Sequence, residues 1–390
     1  MNSFQLPINS LLISTNVHYL QFYLLPDVSI VSDNKDIYIY HLESGFKPNN
    51  APLKLSKHRN NISSIDWSLL PKSYCRASDK SIYSQLLSVG EDLLVINWIL
   101  KESNCSMEIV TQIINTLQSD CYPLSCKFSS LLDNYCKFAI STTSGDVFIF
   151  NSRKIMSNDD GVENNHHLVA NGYKHLNIIE FGNLLKFEQL KISISELPLT
   201  CINWSGDDRF LVCGGIENKG LILHISSNNE DCEYNEFDLK LISSIDAQNS
   251  ILACSISPKN NLIVFTDRDS NIYFTEISKS FNCISDRLKW EGLPFFNLKF
   301  IGDKTIVGVG YDCIPVIFTQ ISGCIWQHAK NLNSSILPPY LNSVWLSNFD
   351  PMKHYEPNTI HKRPIIDVFP KDQKTLVCFG CDGKYSFWDF

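Results

Sequence analysis

Two histidines and two aspartates stand where they could do acid–base work: His58 lies upstream of Asp92, and His361 upstream of Asp382. A His held by a carboxylate can move a proton near neutral pH. A second candidate chemistry is metal binding. Cys378-Phe379-Gly380-Cys381 is a Cys-x-x-Cys, and His166, His167 and His175 follow Asp159, Asp160 and Glu163 in a polar stretch. A zinc site takes two further ligands at comparable spacing, and none follows Cys381. The histidine stretch reads as a solvated loop. The chain has no Gly-x-Ser-x-Gly, no glycine loop ending in Lys-Ser/Thr and no His-Glu-x-x-His. The expectation is a protein that is not an enzyme and needs no metal or cofactor.

The elements that hold these residues repeat. Asp92 to Trp98 is six positions, as are Asp312 to Phe318 and Asp382 to Trp388. Degenerate copies keep the step: Asn34 to Tyr40, Ser144 to Phe150, Asn218 to His224 and Asp269 to Thr275. Asp, Asn and Ser suit a tight turn because their side chains bond nearby amides. The runs that follow alternate, as in Val147-Phe148-Ile149-Phe150, which fits a half-buried strand. A second apolar segment precedes most turns, such as Ile62 to Trp67, Leu199 to Trp204, Ile251 to Ile256, Phe296 to Phe300 and Pro364 to Phe369. Seven such units predict an all-β, seven-bladed propeller with these segments as the innermost strands. Seven blades of about 40–45 residues fill most of 390 residues as one domain spanning 1–390.

Composition narrows the partners. Hydrophobic residues are 44% and charged residues 19%, enough for a core and unlike a disordered chain. The net charge is −8, and no basic run interleaves with aromatics, so nucleic acid is not an expected partner. No stretch is long and apolar enough to span a membrane. The first residues carry no basic region followed by an apolar segment, so the fourteen Cys are expected as small buried hydrophobes rather than disulfides.

Uneven turn spacing locates the insertions. Asp269 to Asp312 is 43 positions, Ser144 to Asn218 is 74 and Asp312 to Asp382 is 70. The excess is expected at about 151–190, after blade 3, and about 320–360, between blades 6 and 7. In the second, Leu341, Val344, Trp345 and Asn348 share one face of a short helix, with Phe349 next to it. Leu341, Val344, Trp345, Leu346 and Phe349 are candidate partner-binding residues, since large aromatics serve as interface anchors. The last unit reaches only its third strand at Phe390. Residues 3–8 could supply its outer strand and close the ring.

Units two and seven resemble WD40 repeats. In that family a His, a Ser or Thr, the turn Asp and the Trp form a buried hydrogen-bonded tetrad. The resemblance implies this role for His58, Ser88, Asp92 and Trp98. In unit seven it implies the role for His361, Asp382 and Trp388, with Cys378 where the hydroxyl belongs. A narrower resemblance follows from Leu293-Pro294 and from Val309-Gly310-Tyr311-Asp312-Cys313-Ile314-Pro315 running into Phe318. A Pro within a propeller strand removes a ladder donor, so its position discriminates. With the His58 unit and the Trp388-Asp389-Phe390 end, these residues resemble the WD40-subunit family of the actin-related protein 2/3 complex. That resemblance implies a non-catalytic scaffold in the cytoplasm and cytoskeleton. Its partners would be actin-related proteins, the other subunits and the actin filament, and its assembly would nucleate branched filaments. The alternative is a WD40 adaptor of another assembly, a vesicle coat or a ubiquitin-ligase receptor. An acid–base cluster with shifted protonation at the mouth of the central channel would speak for an enzyme instead.

Overall fold

In the computed structural model, the described residues are 21–24, 28–43, 47–48, 52–69, 82–103, 106–129, 137–154, 185–227, 237–259, 261–277, 283–328, 361–370, 375–382 and 385–389. Every regular element among them is a β-strand. The strands form seven antiparallel sheets in chain order, so the molecule is a seven-bladed propeller of WD40 type.

Blade 1 holds Gln21–Leu24, Val28–Asp33, Asp36–Glu43 and Leu53–Ser56, with the two-residue strand Lys47–Pro48 beside the end of the third. Blade 2 holds Ile62–Leu69, Ile82–Gly90, Leu94–Ser103 and Ser106–Thr116. Blade 3 holds Pro123–Phe128, Lys137–Thr142, Asp146–Lys154 and Leu185–Ser193. Blade 4 holds Leu199–Trp204, Phe210–Gly215, Lys219–Ser227 and Phe237–Asp246. Blade 5 holds Ile251–Ile256, Leu262–Asp267, Asn271–Ile277 and Cys283–Lys289. Blade 6 holds Phe295–Phe300, Thr305–Gly310, Val316–Ser322 and Ile325–His328. Blade 7 holds Ile365–Pro370, Thr375–Gly380 and Tyr385–Asp389. The inner strand of blade 1 touches those of blades 2 and 7, which closes the ring.

Alternation along the strands sends one face of each blade against the next. Phe138 stacks on Phe150 at 4.7 Å, with Phe128 and Phe187 against its other sides. Each fully buried aromatic of this kind contributes about 1.5–3 kcal/mol. Nine of the cysteines among the described residues are free, and eight of these nine are buried. They serve as small apolar side chains.

The hairpins refine the repeat. The second and third strands of blades 2, 3, 5, 6 and 7 pair symmetrically about Asp92, Ser144, Asp269, Asp312 and Asp382. In four of these turns the next residue has a positive φ: Leu93, Gly145, Ser270 and Cys313. Two units differ from the expected register. Blade 4 pairs about Glu217, because Gly214 faces Gly220; its left-handed residue is Asn218, and the core position is Leu223 rather than His224. Blade 1 turns through Asn34-Lys35, since Asp33 pairs with Asp36. Pro315 also lies outside a strand. It precedes Val316–Ser322, so it costs that ladder no donor.

The first insertion lies inside blade 3 rather than after it. Leu185–Ser193 pairs with Asp146–Lys154 as the outer strand, and Phe187 is core. The extra length therefore falls between the third and fourth strands of one blade. In the second insertion, residues up to His328 belong to blade 6. Residues 3–8 lie outside the described residues, as do Leu341, Val344, Trp345, Leu346 and Phe349.

Candidate functional site

The two His–Asp pairs are internal braces. In blade 2, His58 Nδ1 donates to Asp92 Oδ1 at 3.0 Å. The Ser88 hydroxyl accepts from Trp98 Nε1 at 2.9 Å and meets His58 Nε2 at 2.9 Å. Asp92 also accepts from the amides of Arg59 and Leu94. Burial works to raise the Asp92 pKa, but the bonds from His58 and the two amides outweigh it and hold it below the ordinary value. Ser88 and Trp98 are buried, and each polar group of the relay faces another. The relay ties the lead-in of a blade to its turn and its third strand.

Blade 7 builds the same brace differently. His361 Nδ1 meets Asp382 Oδ1 at 3.0 Å. The hydroxyl is not missing from this unit: His361 Nε2 and Trp388 Nε1 both meet Ser386 Oγ at 2.6 Å. Cys378, on the second strand, is the direct cross-strand partner of Ser386, on the third. The hydroxyl has moved one strand over, within one residue pair. In the Cys378-x-x-Cys381 pair, Cys378 is buried opposite Ser386, and Cys381 lies at the turn. Among the described residues no three His, Cys, Asp or Glu side chains are arranged to hold an ion.

Blades 3, 5 and 6, which lack the His, also bury a carboxylate. In blade 6, Trp290 Nε1 donates to Asp312 Oδ2 at 2.7 Å and the Leu293 amide to Oδ1 at 2.9 Å. Burial pushes the Asp312 carboxyl up to about 6. The Tyr311 amide donates to the Pro294 carbonyl. Leu293-Pro294 and Tyr311-Asp312, distant in sequence, are thus one cluster. Blade 3 uses Asp146, two residues beyond its turn centre, which accepts from Ser144, Ser193 and Lys191. Blade 5 uses Asp267, two residues before its centre, which accepts from Asn271 and Tyr273. The sequence shows these Asp residues but not which one turns inward.

The central channel holds the remaining chemistry. From blade 2 onward every inner strand opens on the same irregularity, between Ile62 and Ser64, Pro123 and Ser125, Leu199 and Cys201, Ile251 and Ala253, Phe295 and Asn297, and Ile365 and Asp367. Such a bulge re-aims the side chains that follow. The residues after it line a cavity of about 1060 Å³, among them Asp66, Lys127, Asn203, Asn297, Lys299 and Asp367. Lys127 Nζ lies 2.8 Å from Asp66 Oδ1, and Asp66 Oδ2 accepts from the Phe128 amide at 2.7 Å. Asp367 accepts from Asn297 Nδ2 at 2.9 Å and from the Val368 amide. Lys299 Nζ lies 3.8 Å from the centroid of the Phe369 ring. Burial lowers the Lys299 pKa and raises that of Asp367.

A charged cluster with displaced protonation does, then, occupy the channel, as the enzyme reading would need. Both displacements are those that desolvation alone produces. Neither group holds a hydroxyl or thiol: the hydrogen bonds of Asp367 come from an amide side chain and the backbone. Elsewhere in the cavity lining, the Ser129 hydroxyl donates to the buried Asp208 carboxylate.

No protein-family model matches the chain. Over 149 residues it is 24% identical to actin-related protein 2/3 complex subunit 1A-A of Xenopus laevis, covering 35% of this chain and 40% of that protein. It is 28% identical over 74 residues to subunit 1A of Arabidopsis thaliana, 19% of each chain. Over 45 residues, 12% of each chain, it is 49% identical to subunit 1 of Saccharomyces cerevisiae. The matched stretches span less than half the length of these relatives. A chain in a crystal structure of a mitotic checkpoint complex superposes with a TM-score of 0.57 at 11% identity, covering 100% of this chain and 91% of that one. That likeness concerns the fold alone.

Proposed function

We propose that this propeller is a non-catalytic scaffold subunit of an assembly of the actin-related protein 2/3 type, supporting nucleation of branched actin filaments in the cytoplasm. The observation that carries this reading is the distant similarity to subunit 1 of that complex from frog, plant and yeast. A rigid ring suits the role, because its blades hold neighbours at fixed angles without chemistry of their own. The acid–base groups of the blades are consumed as braces, which agrees with a scaffold. On this reading Leu341, Val344, Trp345, Leu346 and Phe349 form an apolar anchor for a subunit or the filament.

The test is affinity capture of the tagged full-length protein, with identification of the co-purifying chains. Recovery of actin-related proteins supports the proposal. Their consistent absence, with vesicle-coat or ubiquitin-ligase chains recovered instead, defeats it in favour of a different adaptor. The double variant W345A/F349A is expected to lose the captured partners while melting as the parent does. Unchanged capture would remove these residues from the interface.

A further inference from the structure

The outer strand of each blade ends its sheet with a row of backbone donors and acceptors. Proteins guard such edges with charge, short length or bulges. The outer strands of blades 3, 4 and 5 each carry three charged residues, as Leu185–Ser193 carries Lys186, Glu188 and Lys191. Those of blades 1 and 6 are four residues long. The outer strand of blade 2, Ser106–Thr116, has neither guard. It is the longest strand among the described residues, at eleven, and its one charge is Glu108, near the start.

The uncharged part of this edge is also its regular part. Ile109 pairs with Leu100 and Thr111 with Ile99, so Val110 is a bulge. Beyond it residues 111–116, Thr-Gln-Ile-Ile-Asn-Thr, pair without a break with residues 94–99. On their other side no strand follows among the described residues. The flank is apolar. Ile109 and Ile114 stand opposite Leu100 and Ile96, which are buried against blade 1, so both isoleucines lie on that side. They are 43% and 41% exposed, beside a blade 1 whose outer strand is too short to cover an eleven-residue neighbour. A regular, uncharged edge with apolar side chains at its flank is a template for one more strand.

We propose that two copies of this chain pair through residues 111–116 of blade 2, antiparallel about a two-fold axis, so that two four-stranded blades become one eight-stranded sheet. The backbone groups fix the occupant as a strand, and charge selects which strand. Each copy carries a net charge of −8, so two copies repel except where neither presents charge. Among the described sheet edges longer than five residues, this edge alone meets that condition along its regular part, and a two-fold axis sets it against itself. In a register centred on Ile113 or Ile114, Glu108 stays outside the paired segment. Either register puts the two Ile114 side chains on one face, opposite or diagonal to each other. Two rings joined at their rims form a scaffold that offers each binding face twice. The inference rests on this edge and not on the reading of the protein as a subunit of an actin-nucleating assembly.

The test is sedimentation velocity of the full-length protein, with hydrogen exchange read on the same samples. An interface this small is expected to give a monomer–dimer equilibrium between about 1 and 100 µM. Raising the salt from about 50 to 300 mM is expected to preserve or strengthen the dimer, since screening relieves repulsion between like-charged copies. The outward amides of residues 111–116 are expected to exchange at least tenfold more slowly at the highest concentration than at the lowest. The variant Q112K/I114K puts like charges on the edge and is expected to need at least tenfold more protein to dimerise. L241K, on the outer strand of blade 4, should dimerise as the parent does. Should Q112K/I114K fail to fold, mass and exchange of the parent still decide. A monomer at 100 µM, a dimer with unchanged exchange at residues 111–116, a dimer that salt dissolves, or undiminished pairing of Q112K/I114K overturns the proposal. Species that grow beyond a dimer also overturn it, since the edge would then pair head to tail with a different edge.

Discussion

Cys378 and Ser386 face each other across the second and third strands of blade 7, and Ser386 supplies the hydroxyl expected from the position Cys378 occupies. In blade 2 the corresponding pair is Ser88 and Ile96, with the hydroxyl on the second strand. The two strands are close enough at this pair that His and Trp reach an oxygen on either one. The brace thus depends on an oxygen at one point in space and not on one position in the repeat.

This relationship predicts a rescue. S386A strands the buried N–H of Trp388 and one nitrogen of His361, and is expected to cost about 1–3 kcal/mol in urea unfolding. C378A should cost only its lost packing. The double variant C378S/S386A, which returns the hydroxyl to the second strand, is expected to recover most of the loss. If the double variant is no more stable than S386A, the two positions are not interchangeable.

The blade 2 brace predicts a larger effect on the carboxylate side. D92A leaves His58 and the amides of Arg59 and Leu94 without their acceptor. Leaving buried donors without their charged acceptor costs about 1–3 kcal/mol or more. Chemical denaturation should show this as a lower midpoint. A loss under about 1 kcal/mol would mean that water takes over the role of the carboxylate.

Much of this architecture was legible because a turn and a buried strand leave local marks. The step of six from Asp92 to Trp98 and from Asp382 to Trp388 reflects a hairpin that is symmetric about the Asp. The inner strands were legible for the same reason, being continuous apolar runs. What escaped reading is what pairing decides. The register of blade 4 depends on Gly214 facing Gly220, which centres the hairpin on Glu217 although Asn218 is the better turn residue by type. Ser386 was hidden because the sequence says nothing of which residue it faces. The channel charges were hidden because Asp66, Lys127, Lys299 and Asp367 converge only through a bulge repeated in separate blades. A one-residue irregularity has no signature when every flanking residue fits a strand.

Asp312 predicts a pH dependence. Its folded pKa is raised to about 6 from an ordinary 3.8 because burial penalises the ionised form. A raised folded pKa means that its stabilising contribution is fully present below the unfolded value and is lost as pH rises through the folded one. The loss is on the order of 3 kcal/mol between about pH 4 and pH 7. The lowered carboxyls of Asp92 and Asp146 act oppositely on acidification, and they cancel when variants are compared. The melting temperature of the parent minus that of D312N should therefore fall over this range. A flat difference would show that Asp312 ionises as it does in the unfolded chain.

Blade 7 has three strands among the described residues, and its third, Tyr385–Asp389, has no outer neighbour there. Every other blade pairs that strand with a fourth. An open edge of this kind leaves a row of backbone donors and acceptors without a ladder and invites pairing with another chain. We expect residues 3–8, which precede the first blade, to be the missing partner. Deleting residues 1–8 should then lower the melting temperature in a single cooperative step, because the seventh sheet braces the ring through the inner strand of blade 1. It should also increase association of the protein with itself, measured by light scattering against concentration. An unchanged melting curve and an unchanged mass would show that blade 7 is completed by another segment or needs no fourth strand.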